Sequence, residues 1–237
     1  IVQKQEIVHK KEKGSRMSKT DTAYQYWNTE WDNKNVSEKW TEAEPEVLAT
    51  FEKIGKSKKI LDLGAGVGRH SLPFAQNDCE VTAFDAAESG LASIEQLGKK
   101  NGVFIKTVLG KMDQLPFAND YFEHVLSWNT IYHGNHDILI DTVNEIKRVL
   151  KPGGTFHGTM LPQRRIELLK NEYDCKEISK NTWIINSDSE SDKAHPHYYC
   201  SANELTAIFK DFEFNWLTMK EHDTPNSWHW HFMIEKL

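Results

Sequence analysis

Apolar residues in the middle of the chain come in short runs separated by stretches of helical periodicity. The runs at 59–63, 80–85, 103–108, 124–127 and 154–160 read as strands, and 69–77, 87–101 and 137–150 as the helices between them. In the last of these, Ile138, Val143, Ile146, Val149 and Leu150 share one face. The segment "LKPGG" at 150–154 stops that helix with Pro152 and two glycines and opens the next strand. Strands alternating with helices through short connections predict a parallel sheet covered on both faces.

The two ends break this rhythm. Residues 21–54 hold Tyr24, Tyr26, Trp27, Trp31 and Trp40, then the helix-like "EPEVLATFEKIG". Residues 163–200 are polar and irregular, with a hairpin expected around "CKEISKNTWIIN". A helix at 202–210 follows, and strand-like stretches at 213–221 and 228–235 suit an antiparallel hairpin on the sheet edge. There is no internal repeat. We expect residues 1–20 to be a flexible leader or tag, the native start lying near Met17. Residues 21–237 then form a single domain, with 21–54 as an N-terminal lid region and 163–200 as an insertion.

Composition narrows the partners. The 237 residues carry a net charge of −6, and a pI near 6.0 weighs against nucleic acid, which asks for a basic face. A mean hydropathy of −0.64 and the lack of an apolar run near the roughly 18 residues of a span leave no membrane partner. Cys79, Cys175 and Cys200 lie far apart with no CxxC spacing. That usage fits reduced thiols and a cytoplasmic location.

The candidate chemistry starts at "ILDLGAGVGR". Three glycines within five residues, directly after a strand, let the backbone approach a ligand, and the following helix offers free N–H groups. The spacing is G-x-G-x-G, with Arg69 where a dinucleotide turn has its third glycine, and the P-loop pattern is absent. Asp85 closes the next strand, where a carboxylate can accept hydrogen bonds from both ribose hydroxyls; the plainer alternative is a helix cap.

Taken in series, "ILDLGAGVGRHS", "VTAFDAAES", "GKMDQLPFANDYFEHVLSWNTIYH" and "EIKRVLKPGGTF" resemble the motifs of the class I S-adenosylmethionine-dependent methyltransferases, in particular their small-molecule branch. The resemblance covers about 100 residues over 58–160, and "HWHFMIEKL" is similar to the family's last strand, which inserts between its fifth and sixth. It implies a Rossmann-like, doubly wound α/β fold. The sheet would be mostly parallel and seven-stranded, with an antiparallel edge hairpin and a small lid insertion. The cofactor implied is S-adenosyl-L-methionine. Asp62, Gly64, Ala65 and Gly66 would hold its methionine part, and Asp85 and Ala86 the ribose. Met112 and Asp113 would face the adenine, with Trp128 and Asn129 under the sulfonium. Many relatives have Asp after the glycine at 110; here it is Lys111.

The remaining candidates concern the methyl acceptor. His133 follows the fourth strand at the end that carries the crevice in doubly wound sheets, which makes it a candidate general base or a residue shaping the substrate pocket. Tyr24, Trp27 and Trp31 are either core or a lid whose aromatic faces attract a sulfonium. His195 and His197 of "HPH" lie in the insertion expected to shape the acceptor pocket, where either could take the acceptor's proton. His229 and His231 share one strand face, but no cysteine or acidic residue nearby completes a ligand set, so no metal is expected. The resulting expectation is an enzyme that moves a methyl group to a small-molecule acceptor by in-line displacement, as a monomer or homodimer. The alternatives are a non-catalytic S-adenosylmethionine-binding module and a methyltransferase acting on RNA or protein. NAD-dependent redox chemistry is the most distant, because the glycine spacing is wrong for it.

Overall fold

Burial dictates the sheet. The structure is a computed structural model that describes residues 20–32, 36–186, 191–222 and 224–237; the expected leader lies outside the described residues except for Thr20. Two helices come first, α1 (Ala23–Asp32) and α2 (Pro45–Ile54). Then β1 (Lys59–Leu63), α3 (Ser71–Gln76), β2 (Glu80–Asp85), α4 (Glu88–Asn101), β3 (Lys106–Leu109), β4 (Phe122–Ser127), α5 (His136–Val149) and β5 (Leu150–Pro162) wind the sheet.

Side chains of β1, β2 and β4 alternate between two cores. Leu61, Leu63, Phe84 and Val125 join the cluster under α5. Ile60, Val81, Ala83 and Leu126 join the one under α2, α3 and α4. The strands pair in parallel in the order β3-β2-β1-β4-β5.

The C-terminal third adds α6 (Gln163–Leu169), β6 (Cys175–Ser179), β7 (Thr182–Ile185), β8 (His197–Cys200), α7 (Ala202–Ile208), β9 (Phe212–Glu221) and β10 (Trp228–Lys236). β10 lies antiparallel between β5 and β9, completing the seven-stranded body. The sheet is larger than seven strands, however. β5 runs on past β10, and Leu161 and Pro162 pair with β8, which carries the β7–β6 hairpin, so ten strands are joined among the described residues. The hairpin was legible in "CKEISKNTWIIN"; β8 was not, because four buried residues between polar neighbours carry too little pattern.

Two boundaries move for local reasons. β3 starts at Lys106 instead of 103, because Val103 N–H bonds back to Gly98 across Gly102, whose φ of +68° closes α4 in the left-handed turn. β5 starts at Leu150, before the glycines, and the extra residues are absorbed by a register shift against β4. Capping fixes the helices that flank the site: Asn135 accepts from Ile138 N–H at the start of α5, and Ser201 and Glu204 form a reciprocal capping box on α7.

Candidate active site at the carboxyl ends of the strands

The turns after β1, β2 and β4 open into one cavity of about 670 Å³, a size suited to a cofactor with a small substrate. Its first wall is backbone. Gly64 and Gly66 have φ of +77° and +54°, where any side chain is strained. A Cβ on Gly64 would stand 2.1 Å from Thr130 Oγ1, and one on Gly66 would stand 3.2 Å from Trp31 Cζ2. Bare backbone therefore faces the cavity. Asp85 braces this turn: one carboxylate oxygen accepts from Gly66 N–H and the other from Ala87 N–H, both at 2.8 Å. Burial pushes the Asp85 carboxyl up, against these two backbone donors.

Of the residues expected at a cofactor, Gly64, Ala65, Gly66, Asp85, Ala86, Met112, Trp128 and Asn129 line the cavity, while Asp62 and Asp113 stand outside its lining. Asp62 lies behind the turn, where it accepts from Ser71 Oγ at 2.6 Å, and burial raises its carboxyl to about 6. Asp113 is raised by its own burial. Lys111, noted only as a departure from the family pattern, has a clear place. Its ammonium pairs with Asp21 at 2.9 Å and lies over the Tyr24 ring, tying the N-terminal segment to the turn after β3.

That segment forms a roof. Tyr24, Trp27, Trp31 and Trp40 line the cavity; Trp27 stacks on Trp31 at 4.9 Å, and both meet Trp40 edge-on. Trp31 is buried, packed over Gly66 and Gly90, whereas Trp27 stays half-buried, so the cluster is anchor and lid in one. Asn28 fastens it through Ser89 N–H and Oγ. Arg69 bonds to Lys39 O and to Glu44 beneath Trp40, so it braces the roof.

The far wall is made of side chains. His133 and His197 are joined by an isolated backbone bridge, with Gly134 N–H on Pro196 O and Tyr198 N–H on Tyr132 O. Their rings stand 4.7 Å apart. Asp192 Oδ2 faces both, 3.9 Å from His133 Nε2 and 3.6 Å from His197 Nε2. Burial lowers His133 against the pull of Asp192; Asp192, which burial alone would raise, is held well below the carboxylate range by the two imidazoles. His195 stands outside the cavity lining, with Nδ1 2.8 Å from Thr22 Oγ1, joining insertion to roof.

Beside them stands a second imidazole group. His229 and His231 share the buried face of β10, as the alternation requires. His222 stacks on His229 at 3.6 Å and lies parallel to Trp128, and its Nε2 is 2.8 Å from that of His231. Arg165 Nη1 donates to His229 Nε2, and Glu46 stands 3.3 Å from His231 Nδ1. Arg165, Asp192, His222 and Glu46 escaped the sequence reading. Only Arg165 left a signal, since it follows the carboxyl end of the fifth strand, where the crevice is expected.

Comparison with known proteins agrees with this geometry. Residues 60–154 match the family model of a methyltransferase domain. This segment thus resembles a methyltransferase domain. Demethylmenaquinone methyltransferase of Streptomyces avermitilis is 36% identical over 118 residues, 46% of this chain and 48% of that protein. A tRNA U34 carboxymethyltransferase of Hydrogenovibrio crunogenus is 25% identical over 178 residues, 69% of this chain and 47% of that one. The chain thus spans about half the length of these relatives. In fold, it superposes with a TM-score of 0.69 and 16% identity on the Burkholderia thailandensis 1,6-didemethyltoxoflavin-N1-methyltransferase bound to 1,6-didemethyltoxoflavin and S-adenosylhomocysteine, covering 90% of this chain and 86% of that one. Among the described residues no helix is long and apolar enough to cross a membrane.

Proposed function

We propose that the protein is a methyltransferase that uses S-adenosyl-L-methionine and a small-molecule acceptor, the two meeting inside this cavity. The observation that carries the reading is the opposition of its walls: a glycine turn braced by a strand-end carboxylate on one side, and convergent imidazoles on the other. The residues fit the cofactor, because positive φ at Gly64 and Gly66, with Thr130 and Trp31 packed against them, leaves backbone and no side chain of these two residues toward the cavity. When bound, S-adenosylmethionine supplies a methyl group already activated by positive sulfur.

The chain's own task is alignment and exclusion of water. Gly64, Ala65 and Gly66 offer backbone to the methionine part, Asp85 accepts from the ribose, and Met112 borders the base. Tyr24, Trp27 and Trp31 close over the site. His133, His197 and Asp192 form the polar end toward which the acceptor presents its nucleophilic atom. A roofed chamber of this size supports a small acceptor over RNA or protein.

Calorimetric titration with S-adenosylmethionine, S-adenosylhomocysteine and NAD tests the cofactor. Micromolar binding of both adenosyl ligands is expected, weakened at least about 30-fold, roughly 2 kcal/mol, in Asp85→Ala. Binding of NAD alone would overturn the assignment. Release of S-adenosylhomocysteine with a panel of small phenols, thiols and amines separates an enzyme from a binding module.

A further inference from the structure

The far wall carries two imidazoles and one carboxylate that converge on a single point. We propose that His133, Asp192 and His197 bind a divalent transition-metal ion, of the zinc or iron(II) type, with an open coordination position facing the cavity.

Three features of the group argue for this. First, the ligand atoms are gathered: His133 Nε2, His197 Nε2 and an Asp192 oxygen all lie within 4.8 Å of one another, with 3.6 and 3.9 Å from the carboxylate to the imidazoles. Two atoms each about 2.1 Å from one ion stand roughly 3.0–3.4 Å apart, so the carboxylate has to draw in by a few tenths of an ångström toward each imidazole and the two ring nitrogens, within 4.8 Å of each other, by up to about 1.4 Å through side-chain rotation.

Second, the imidazoles offer the right nitrogens. His197 Nδ1 donates to His195 O at 2.8 Å, which leaves Nε2, 3.6 Å from Asp192 Oδ2, as the nitrogen able to take a metal. A ring N–H held by a backbone carbonyl is the usual outer support of a metal-bound histidine. His133 Nε2 is buried without a hydrogen-bond partner, and a buried polar atom of that kind asks for a ligand.

Third, the frame is fixed before any ion arrives. The backbone bridge between His133 and His197 sets the two rings, and Ser191 caps the short helical turn Asp192–Ala194 through Lys193 N–H. His133, Asp192 and His197 all line the cavity, so the open position faces its interior. Two histidines and one carboxylate with room for more ligands is the donor set of zinc and non-haem iron sites.

The ion's use follows from its place. It can hold an oxygen or sulfur atom of the acceptor and favour its deprotonated form, which makes His133 a ligand and not a base. This use rests on the proposed function; the site itself does not.

Protein stripped with a chelator is titrated with cobalt(II), read by visible absorbance, and with zinc(II), read by calorimetry. Wild type is expected to take up one ion per chain at micromolar affinity or better. Asp192→Asn and His197→Ala should each weaken binding by at least about 100-fold, with His222→Ala within about threefold of wild type. Circular dichroism melting shows whether each variant folds; if His197→Ala does not, Asp192→Asn at the partly exposed position decides. No uptake below about 1 mM, equal uptake in Asp192→Asn, or loss confined to His222→Ala would each overturn the site. Titration with S-adenosylmethionine is run separately, so metal without cofactor binding sinks only the proposed function, and the converse sinks only the metal.

Discussion

At one end of the cavity the wall is backbone, set by Gly64, Ala65 and Gly66 within three consecutive positions and braced by one carboxylate. At the other end it is side chains, drawn from positions as far apart as His133, Arg165, Asp192 and His222. A backbone wall leaves a compact trace in sequence, since glycine is needed wherever φ is positive or approach is close. It can serve one ligand geometry and resists change. A side-chain wall is assembled by topology and can be exchanged residue by residue, which suits an end that selects the acceptor.

The strongest way to break this contrast is to put a side chain on the backbone wall. Gly64→Val forces a β-branched residue into positive φ with its Cβ inside Thr130. S-adenosylmethionine affinity should fall at least about 1,000-fold, near 4 kcal/mol, with a lower melting temperature as well. Normal affinity in a folded variant would mean that the ligand does not sit on this turn.

Acid should act next on the sheet that carries both ends. Burial lowers His124 to about 3 and His157 to about 4, so unfolding takes up protons below the ordinary imidazole value. The unfolded state then binds more protons than the folded one, and stability falls as pH drops from about 6.5 toward 4, by about 1.4 kcal/mol per pH unit for each group. Asp62 works in the opposite sense. Its carboxyl, raised to about 6, costs stability at neutral pH and returns it as pH falls through that value. With one carboxyl offsetting two imidazoles, these three groups alone should lose about 2 kcal/mol between pH 6.5 and 5, and His70, His222 and His229, lowered by the same burial, add to that loss in urea unfolding. His124→Gln should flatten that slope and Asp62→Asn should steepen it. A flat profile in wild type would show that these imidazoles are not buried neutral.

How much of this was legible follows the same division. The parallel body, the Asp85 position and the β9–β10 hairpin appear in the pattern because each is local: an apolar run, a glycine turn, a strand end. Lys106 starts β3 late because a helix-terminal turn reaches into the apolar run, a tertiary detail with no separate signal. β8 was missed because its partner, the end of β5, lies more than thirty residues earlier. The resemblance places Met112 and Asp113 at the adenine; Met112 lines the cavity and Asp113 stands just outside the lining. Asp192 could not be found, since nothing in "SDKAHPH" shows that a carboxylate will face His133 across the insertion.

The roof sharpens the comparison on a smaller scale. Trp27 is half-buried and stacks on the anchored Trp31, so its face is available to a cationic ligand. Trp27→Ala should weaken S-adenosylmethionine about tenfold, close to 1.4 kcal/mol, with Trp27→Phe recovering much of it. S-adenosylhomocysteine, without the positive sulfur, should lose less. An equal loss for both ligands, together with a fall in melting temperature of several degrees, would assign Trp27 to the core instead.

The smallest effect belongs to the strap between roof and backbone wall. Lys111 and Asp21 pair at 2.9 Å, with the lysine about a third exposed and the aspartate nearly buried, so salt screens the attraction only in part. Holding residue 21 against the turn after β3 keeps Tyr24 over the cavity, and losing that hold should speed ligand release more than it slows entry. Lys111→Ala is expected to raise the S-adenosylmethionine off-rate about three- to fivefold, on the order of 0.6–1 kcal/mol. Asp21→Asn should do the same, and the double variant should be no worse than either alone, as for two partners of one contact. Stopped-flow tryptophan fluorescence reads the rate, since five aromatic residues, three of them tryptophans, line this roof. Additive effects in the double variant would show that the two residues act separately and that the strap does not hold the roof.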